Sequence, residues 1–255
     1  MIEIRDNGPV RTLRLSRPEK RNALHPQLIS EMTEAVEQLP PNIRVLLITG
    51  TGKAFCAGAD LAYLHKLSEF SYEENVKDSA ALMRLYRAIY ETPSIVISRV
   101  NGHALGGGMG FLLVADFVLA VEHAKLGFPE VKIGFVPALV SVFLQRKVGG
   151  GVARELLLSG RTFSPSEAGR WGLVTKSFDN LQVLDTYLES FIANILAHTS
   201  PQSIASTKKL LRRVDGMSLD EALEQAVLSN AEARRNHDFK VGLASFLQKK
   251  VIRWD

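Results

Sequence analysis

Residues 101–116 read Asn101-Gly102-His103-Ala104-Leu105-Gly106-Gly107-Gly108-Met109-Gly110-Phe111-Leu112-Leu113-Val114-Ala115-Asp116. Ser94–Val100 precedes them and reads as a strand, and Phe111-Leu112-Leu113-Val114 reads as a buried helix. Three consecutive glycines between a strand and a helix cost backbone entropy. Close packing of a strand on a helix needs one glycine, not three. The run makes sense if backbone N–H groups must point into a site at a helix N-terminus, where the partial positive charge favours an anion.

Outward from this segment, short apolar runs alternate with helical patterns. Ile2 and Ile4 alternate with charges, Asn7-Gly8-Pro9 marks a turn, and Val10 to Leu15 resumes extended character, so the chain opens on a hairpin. Leu28, Met32, Ala35-Val36 and Leu39 share one helical face that Pro40-Pro41 stops. Val45-Leu46-Leu47-Ile48-Thr49 reads as a buried strand. A glycine-rich loop, Gly50 to Gly58, follows. Helical periodicity runs over 72–90, with Leu82, Leu85-Tyr86 and Ile89 on one face, and Phe117 to Ala120 is a further strand. The alternation predicts an α/β architecture. Ser164-Pro165-Ser166-Glu167 and Ser218-Leu219-Asp220-Glu221 are capping boxes. Apart from a strand at Leu173 to Phe178, the last third reads as helical. We expect a boundary near His198–Pro201, giving a core at 1–197 and a helical region at 198–255.

Composition narrows the function. The chain has 255 residues, of which 46% are hydrophobic and 23% charged, as in globular domains. The longest uncharged apolar stretch, Ala104 to Ala115, is 12 residues with four glycines. A membrane-spanning helix needs about 18 or more, so no membrane partner is expected. The amino terminus lacks the apolar core of a signal peptide. The single cysteine suits a reducing compartment and excludes a cysteine-rich zinc site; the expected location is the cytoplasm. The net charge of +4 suits an anionic small molecule as readily as a nucleic acid. The basic pairs Lys208-Lys209, Arg212-Arg213 and Arg234-Arg235 read as solvated helix faces, so no nucleic-acid partner is expected.

Nucleotide motifs fail. Gly106-x-Gly108-x-x-Phe111 lacks the last glycine of a dinucleotide fingerprint. Gly52-Lys53 is followed by Ala54 and preceded at position 47 by leucine, so the phosphate-loop pattern fails twice. No Gly-x-Ser-x-Gly elbow marks a hydrolase. A second small-residue loop, Lys53-Ala54-Phe55-Cys56-Ala57-Gly58-Ala59-Asp60-Leu61, also follows a strand, and Asp60 can cap the helix after it.

Together these segments resemble the crotonase, or enoyl-CoA hydratase/isomerase, superfamily. Arg17-Pro18-Glu19-Lys20-Arg21-Asn22-Ala23-Leu24 resembles its opening motif, Ala54 to Leu61 its coenzyme A loop, and Asn101 to Gly108 with Ala115-Asp116 its glycine helix. Leu126-Gly127-Phe128-Pro129-Glu130-Val131-Lys132-Ile133-Gly134 resembles its second acidic motif. The order holds from about Ile2 to Phe246-Leu247-Gln248-Lys249-Lys250. The resemblance implies an α/β spiral of strand–strand–helix units in two sheets, with a C-terminal helical trimerisation region and a homotrimer or dimer of trimers. It implies an acyl-CoA thioester substrate, with no metal or redox cofactor beyond the coenzyme A of the substrate.

Carried over residue by residue, the resemblance makes the amides of Ala59 and Gly107 the oxyanion hole and Glu130 the acid/base carboxylate. It assigns substrate binding to Lys20, Ala57, Gly58, Asp60, Leu61, Gly106 and Gly110. Lys20 and Arg21, with Lys249 or Lys250 from the same or a neighbouring subunit, would meet phosphates. Hydratases of the family commonly carry a second glutamate where this chain has Gly110, which is expected to leave space but no acid. The pattern is nearest to single-glutamate bacterial hydratases of the methylglutaconyl-CoA type. The expected reaction is reversible hydration of a 2-enoyl-CoA to a 3-hydroxyacyl-CoA. A single-glutamate enoyl-CoA delta-isomerase and a non-catalytic acyl-CoA binder are the alternatives. His103 is a second candidate acid/base, Cys56 reads as a small buried hydrophobe, and Asp116 as structural.

Overall fold

The computed structural model describes residues 1–254. The chain opens on the antiparallel hairpin β1 (Ile2–Asn7) and β2 (Val10–Leu15), with Asn7 opposite Val10. Helix α1 (Pro26–Glu37) follows and buries Leu28, Met32 and Val36. Strands then come in pairs. β3 (Val45–Gly50) leads to β4 (Ala54–Cys56), β5 (Ile95–Val100) to β6 (His103–Leu105), and β7 (Phe117–Val121) to β8 (Leu126–Gly127). Helices α2 (Leu61–Leu67) and α3 (Tyr72–Glu91) follow the first pair, α4 (Gly110–Val114) the second and α5 (Ala138–Val148) the third.

Within each pair the first strand joins a six-stranded sheet of order β1-β2-β3-β5-β7-β10, where β10 is Lys176–Phe178. The second joins a four-stranded sheet, β4-β6-β8-β9, where β9 is Thr162–Phe163. The pairings β2–β3, β5–β7, β4–β6 and β6–β8 are parallel. This is the expected spiral of strand–strand–helix units. Inner strands of the large sheet are apolar on both faces: Val45, Leu46, Ile48, Val96, Ile97, Val118, Leu119 and Ala120 are fully buried, as parallel strands covered on both sides must be.

The spiral places the loops that follow β4, β6 and β8 beside one another, because those strands are neighbours in the small sheet. Consecutive turns therefore present Ala57–Ala59, Gly106–Gly107 and Pro129–Glu130 at one end of that sheet.

Packing divides the chain into two units, Met1–Thr92 with Val96–Leu188, and Pro93–Ile95 with the chain from Glu189 onward. The later segment is helical: α8 (Leu181–His198), α9 (Pro201–Val214), α10 (Leu219–Ala233) and α11 (His237–Leu247). The Ser218–Glu221 capping box forms in full. At α7 (Pro165–Gly169) only half of the expected box forms. Ser164 accepts from the Glu167 amide, but the Glu167 carboxylate turns to Arg161 instead, at 2.6 Å. A charged guanidinium within reach is a stronger partner than a backbone amide.

Candidate active site

The loop after β4 is built by the opening motif. Leu24 N–H donates to the Gly58 carbonyl at 2.7 Å, and Asp60 N–H donates to the Leu24 carbonyl at 3.0 Å. These two bonds form a parallel bridge between Leu24 and Ala59. Extended pairing of this kind turns the amide of Ala59 itself to the opposite side, where no backbone acceptor meets it among the described residues. Asp60 caps α2, accepting from Ala62 N–H at 3.0 Å, and pairs with Arg17 at 3.0 Å. Burial alone would raise the Asp60 carboxyl, but Arg17 and the amides of Tyr63 and Ala62 hold it below its usual range. Asn22, fully buried and at φ 52–56° with Arg21, ties the motif to β4 through the Ala54 carbonyl at 2.8 Å.

The glycine run forms a 3-10 turn, Gly106–Met109, that leads directly into α4. Gly107 is its second residue, so its N–H precedes the turn's own hydrogen bonds. Space is short around these residues. A Cβ on Gly108 would fall 2.4 Å from the Cys56 carbonyl, and one on Gly107 would fall 2.8 Å from Leu24 Cδ1. The three glycines thus serve close backbone approach as well as amide presentation. Lys147 ends α4, its ammonium donating at 2.8 Å to the carbonyls of Leu112 and Ala115.

Glu130 sits in a 3-10 turn, Pro129–Ile133, opened by proline and closed by Gly134 at φ +74°. Its Oε2 is buried without a hydrogen-bond partner among the described residues. Burial pushes its carboxyl above the usual carboxylate range, against a smaller opposing pull from its own amide. An unpartnered carboxylate with a raised pKa beside a cavity is suited to proton transfer.

Ala57, Gly58, Ala59, Leu61, Gly106, Gly107 and Glu130 all border one cavity of about 360 Å³. The remaining wall is mainly apolar, from Leu24 and Ile29 through Leu64, Leu67 and Leu82 to Phe135–Val140. Leu82 and Tyr86 on α3 and Val136 just before α5 shape the cavity wall. Lys20 lies exposed on a 3-10 turn, Arg21, Lys249 and Lys250 are exposed, and Asp60 is buried in its ion pair; none of these borders the cavity. His103 also lies outside it, its Nδ1 accepting from Lys125 N–H at 2.9 Å. Cys56 is fully buried, which pushes its thiol up to about 12. Asp116 accepts from Val96 N–H at 2.7 Å, in the structural role expected of it.

One expectation is overturned. Gly110 does not leave space. A Cβ there would fall 2.2 Å from Cζ of Tyr86, whose ring fills the region, and Gly110 does not border the cavity. Tyr86 is the site residue that sequence reasoning missed. It lies on the apolar face of α3 beside Leu85 and Ile89, and a tyrosine in such a stripe reads as core. Tyr63 was missed as well. Its hydroxyl donates to Asp78 at 2.6 Å across the cavity wall, and burial followed by that carboxylate pushes its phenol up to about 12.

Among the described residues no cluster of three or more His, Cys, Asp or Glu side chains could hold a metal ion, and no helix is long and apolar enough to cross a membrane.

Residues 5–255 match the family model described as enoyl-CoA hydratase/isomerase. A Thermus thermophilus protein provisionally named an enoyl-CoA hydratase is 40% identical over the whole of both chains. The mevalonyl-coenzyme A hydratase sidH of Aspergillus fumigatus is 34% identical over 95% of this chain and 90% of its own. The crystal structure of an enoyl-CoA hydratase from Shewanella pealeana superposes with a TM-score of 0.93 at 31% identity, covering 99% of this chain and 95% of that one. Architecture and sequence thus agree along nearly the full length, and the chain belongs to the enoyl-CoA hydratase/isomerase family.

Proposed function

We propose that the protein is an enoyl-CoA hydratase that adds water reversibly to a 2-enoyl-CoA, giving a 3-hydroxyacyl-CoA. The observation that carries this reading is the meeting of Ala59, Gly107 and Glu130 on one apolar cavity. The two amides hold the thioester oxygen. Glu130 takes a proton from water as hydroxide adds to C3, and returns it to C2 as the enolate collapses. Negative charge develops on the thioester oxygen only along this path, so preorganised donors stabilise the transition state more than the substrate. The step requires no metal or redox group. Lys20 and the main chain of 57–61 take the coenzyme A moiety, and the apolar wall takes the acyl chain.

A second reading has its own support. Tyr86 occupies the space beside Gly110, and Glu130 is the carboxylate left facing the amides. A lone carboxylate suffices to move a proton from C2 to C4 and so shift a β,γ double bond into conjugation, which is delta-isomerase chemistry. The relatives' names differ in their acyl group, so the substrate is set by experiment. The test is a screen of 2-enoyl- and 3-enoyl-CoA thioesters, methylglutaconyl-CoA included, followed at the absorbance of the conjugated thioester. Loss of absorbance with 2-enoyl substrates supports the hydratase; a gain with 3-enoyl substrates alone supports the isomerase. Binding without either change leaves a non-catalytic acyl-CoA binder.

The proposed assembly is a homotrimer or dimer of trimers built through 198–255. Exposed Leu223, Val227, Leu243 and Phe246 on α10 and α11 support it, since apolar side chains in such number favour burial. The proposed location is the cytoplasm, in keeping with a single buried, unpaired cysteine.

A further inference from the structure

Tyr86 is fully buried, yet it borders the cavity that holds Glu130 and the Ala59 and Gly107 amides. Its ring is locked edge-on against Phe111 (5.9 Å, 89°) and Phe143 (6.3 Å, 85°). Its hydroxyl donates to the carbonyl of Gly107, which also accepts from Gly110 N–H. Gly107 stands between two other glycines, and glycine backbone is the least restricted of all. An amide that must aim at a developing oxyanion cannot be left to such freedom, because preorganisation is the source of its effect.

We propose that Tyr86 is a positioning residue, whose hydroxyl pins the Gly107 carbonyl and so aims the Gly107 N–H into the cavity at the thioester oxygen. Burial, with Cys56 and Glu130 nearby, pushes the phenol well above its ordinary value, so the hydroxyl remains a donor throughout the working pH range. The rigid ring carries the constraint from α3 to the turn. The inference rests on the acyl-CoA reading above, but it concerns how the site is held rather than which double bond reacts.

The test is Tyr86→Phe, which keeps the ring and removes the donor. Three quantities are measured: kcat on the best enoyl thioester, KM, and the carbonyl stretching frequency of bound butyryl-CoA carrying a 13C thioester carbon. In the parent protein the band should move to lower frequency on binding. In the variant that displacement should shrink, kcat should fall about 10- to 100-fold, and KM should stay within about twofold. A merely structural tyrosine lowers the melting temperature and leaves the band and kcat unchanged, which overturns the proposal. The band is read on bound ligand only, so partial unfolding does not mimic the effect. Should Tyr86→Phe not fold, 3-fluorotyrosine at position 86 keeps the donor and changes its acidity. A displaced band then supports the proposal and an unmoved one defeats it. A parent protein that shifts the carbonyl but turns over no enoyl thioester sinks the catalytic reading and spares this one. A parent protein that binds the thioester with an unshifted carbonyl, or binds none, sinks both.

Discussion

The Glu130 carboxylate lies directly against the backbone of Gly106: a Cβ on Gly106 would fall 3.0 Å from Oε1 and 3.8 Å from Oε2. Gly106 is also held at φ +52°, where an L-residue is strained. The residue before the Gly107 amide thus sets the position of the proposed acid/base carboxylate. Gly106→Ala should push Glu130 out of place while keeping the cavity. We expect kcat to fall about 10- to 100-fold, the cost typical of a misplaced reacting group, and stability to fall by about 1 kcal/mol from the strained φ. Steady-state kinetics and urea melts check both. A variant with parental kcat would place the working carboxylate elsewhere.

Glu130→Gln removes the proposed proton carrier and keeps its shape. We expect kcat to drop at least about 100-fold, as for loss of a general acid/base, while thioester binding persists. Stability should move the other way. Burial raises the Glu130 carboxyl in the folded protein, so the folded state holds its proton to higher pH than the unfolded chain does. The contribution is therefore favourable below the unfolded value and is lost as pH rises through the folded one. At neutral pH the ionised group burdens the fold. Glu130→Gln should melt higher than the parent at pH 7, and the gap should close below about pH 4, where the ordinary carboxylate is itself protonated. Melting curves at both pH values decide it. An equal or lower melting temperature at pH 7 would mean Glu130 carries no burial penalty.

Much of this was legible in the residues, and the failures have physical causes. The apolar run Val45–Thr49 had the length and composition of a buried strand, and β3 is one. The glycines at 106–108 pointed to backbone presentation, and the structure adds a packing need at each, since a Cβ would fall 3.0 Å from Glu130, 2.8 Å from Leu24 and 2.4 Å from Cys56. β4, by contrast, lies inside the glycine-rich stretch Gly50 to Gly58, whose composition is that of a loop. Three residues, Ala54–Cys56, are too few to display a period, and only pairing with β6 makes them a strand. Helices α5 and α6 (Gly150–Ser159) were missed because Gly149-Gly150-Gly151 breaks the pattern where they meet. The space at Gly110 was misjudged because what fills it, the Tyr86 ring, arrives from another element 24 positions earlier in the chain. A missing side chain shows where an atom is absent, not whether a neighbour has taken the room.

That packing makes a strong prediction about restoring a second carboxylate. Gly110→Glu puts the residue type of two-glutamate hydratases back in place, yet it should fail here. Its Cβ alone would fall 2.2 Å from Tyr86 Cζ and 2.5 Å from the Tyr86 hydroxyl oxygen. Overpacking a filled core costs about 1–3 kcal/mol or more, and the displaced phenol would abandon Gly107. We expect lowered stability and kcat below the parent. Pairing it with Tyr86→Ala opens room and should recover melting temperature relative to Gly110→Glu alone. No recovery in the double variant would show that the ring is not the obstacle.

Arg17 and Asp60 join the opening motif to the loop that presents the Ala59 amide, with side chains only 11% and 9% exposed. Asp60→Ala removes the α2 cap and strands a buried guanidinium. Breaking such a pair costs about 3–5 kcal/mol, and among the described residues the Arg17 guanidinium keeps the Ala23 carbonyl, at 2.8 Å. With the loop loosened, KM for the thioester should rise as well as stability fall, so the effect should appear in kcat/KM. The pH dependence follows from the sign of the shift. The folded Asp60 carboxyl lies below its usual value of 3.8, so its stabilisation is present above that value and is lost as pH falls through the folded one. Removing it should narrow the stability difference between parent and Asp60→Ala on acidification below about pH 4. Urea titrations of both proteins at pH 7 and pH 3 measure this. A difference that stays constant, or grows toward acid, would mean the Arg17–Asp60 pair does not hold the loop.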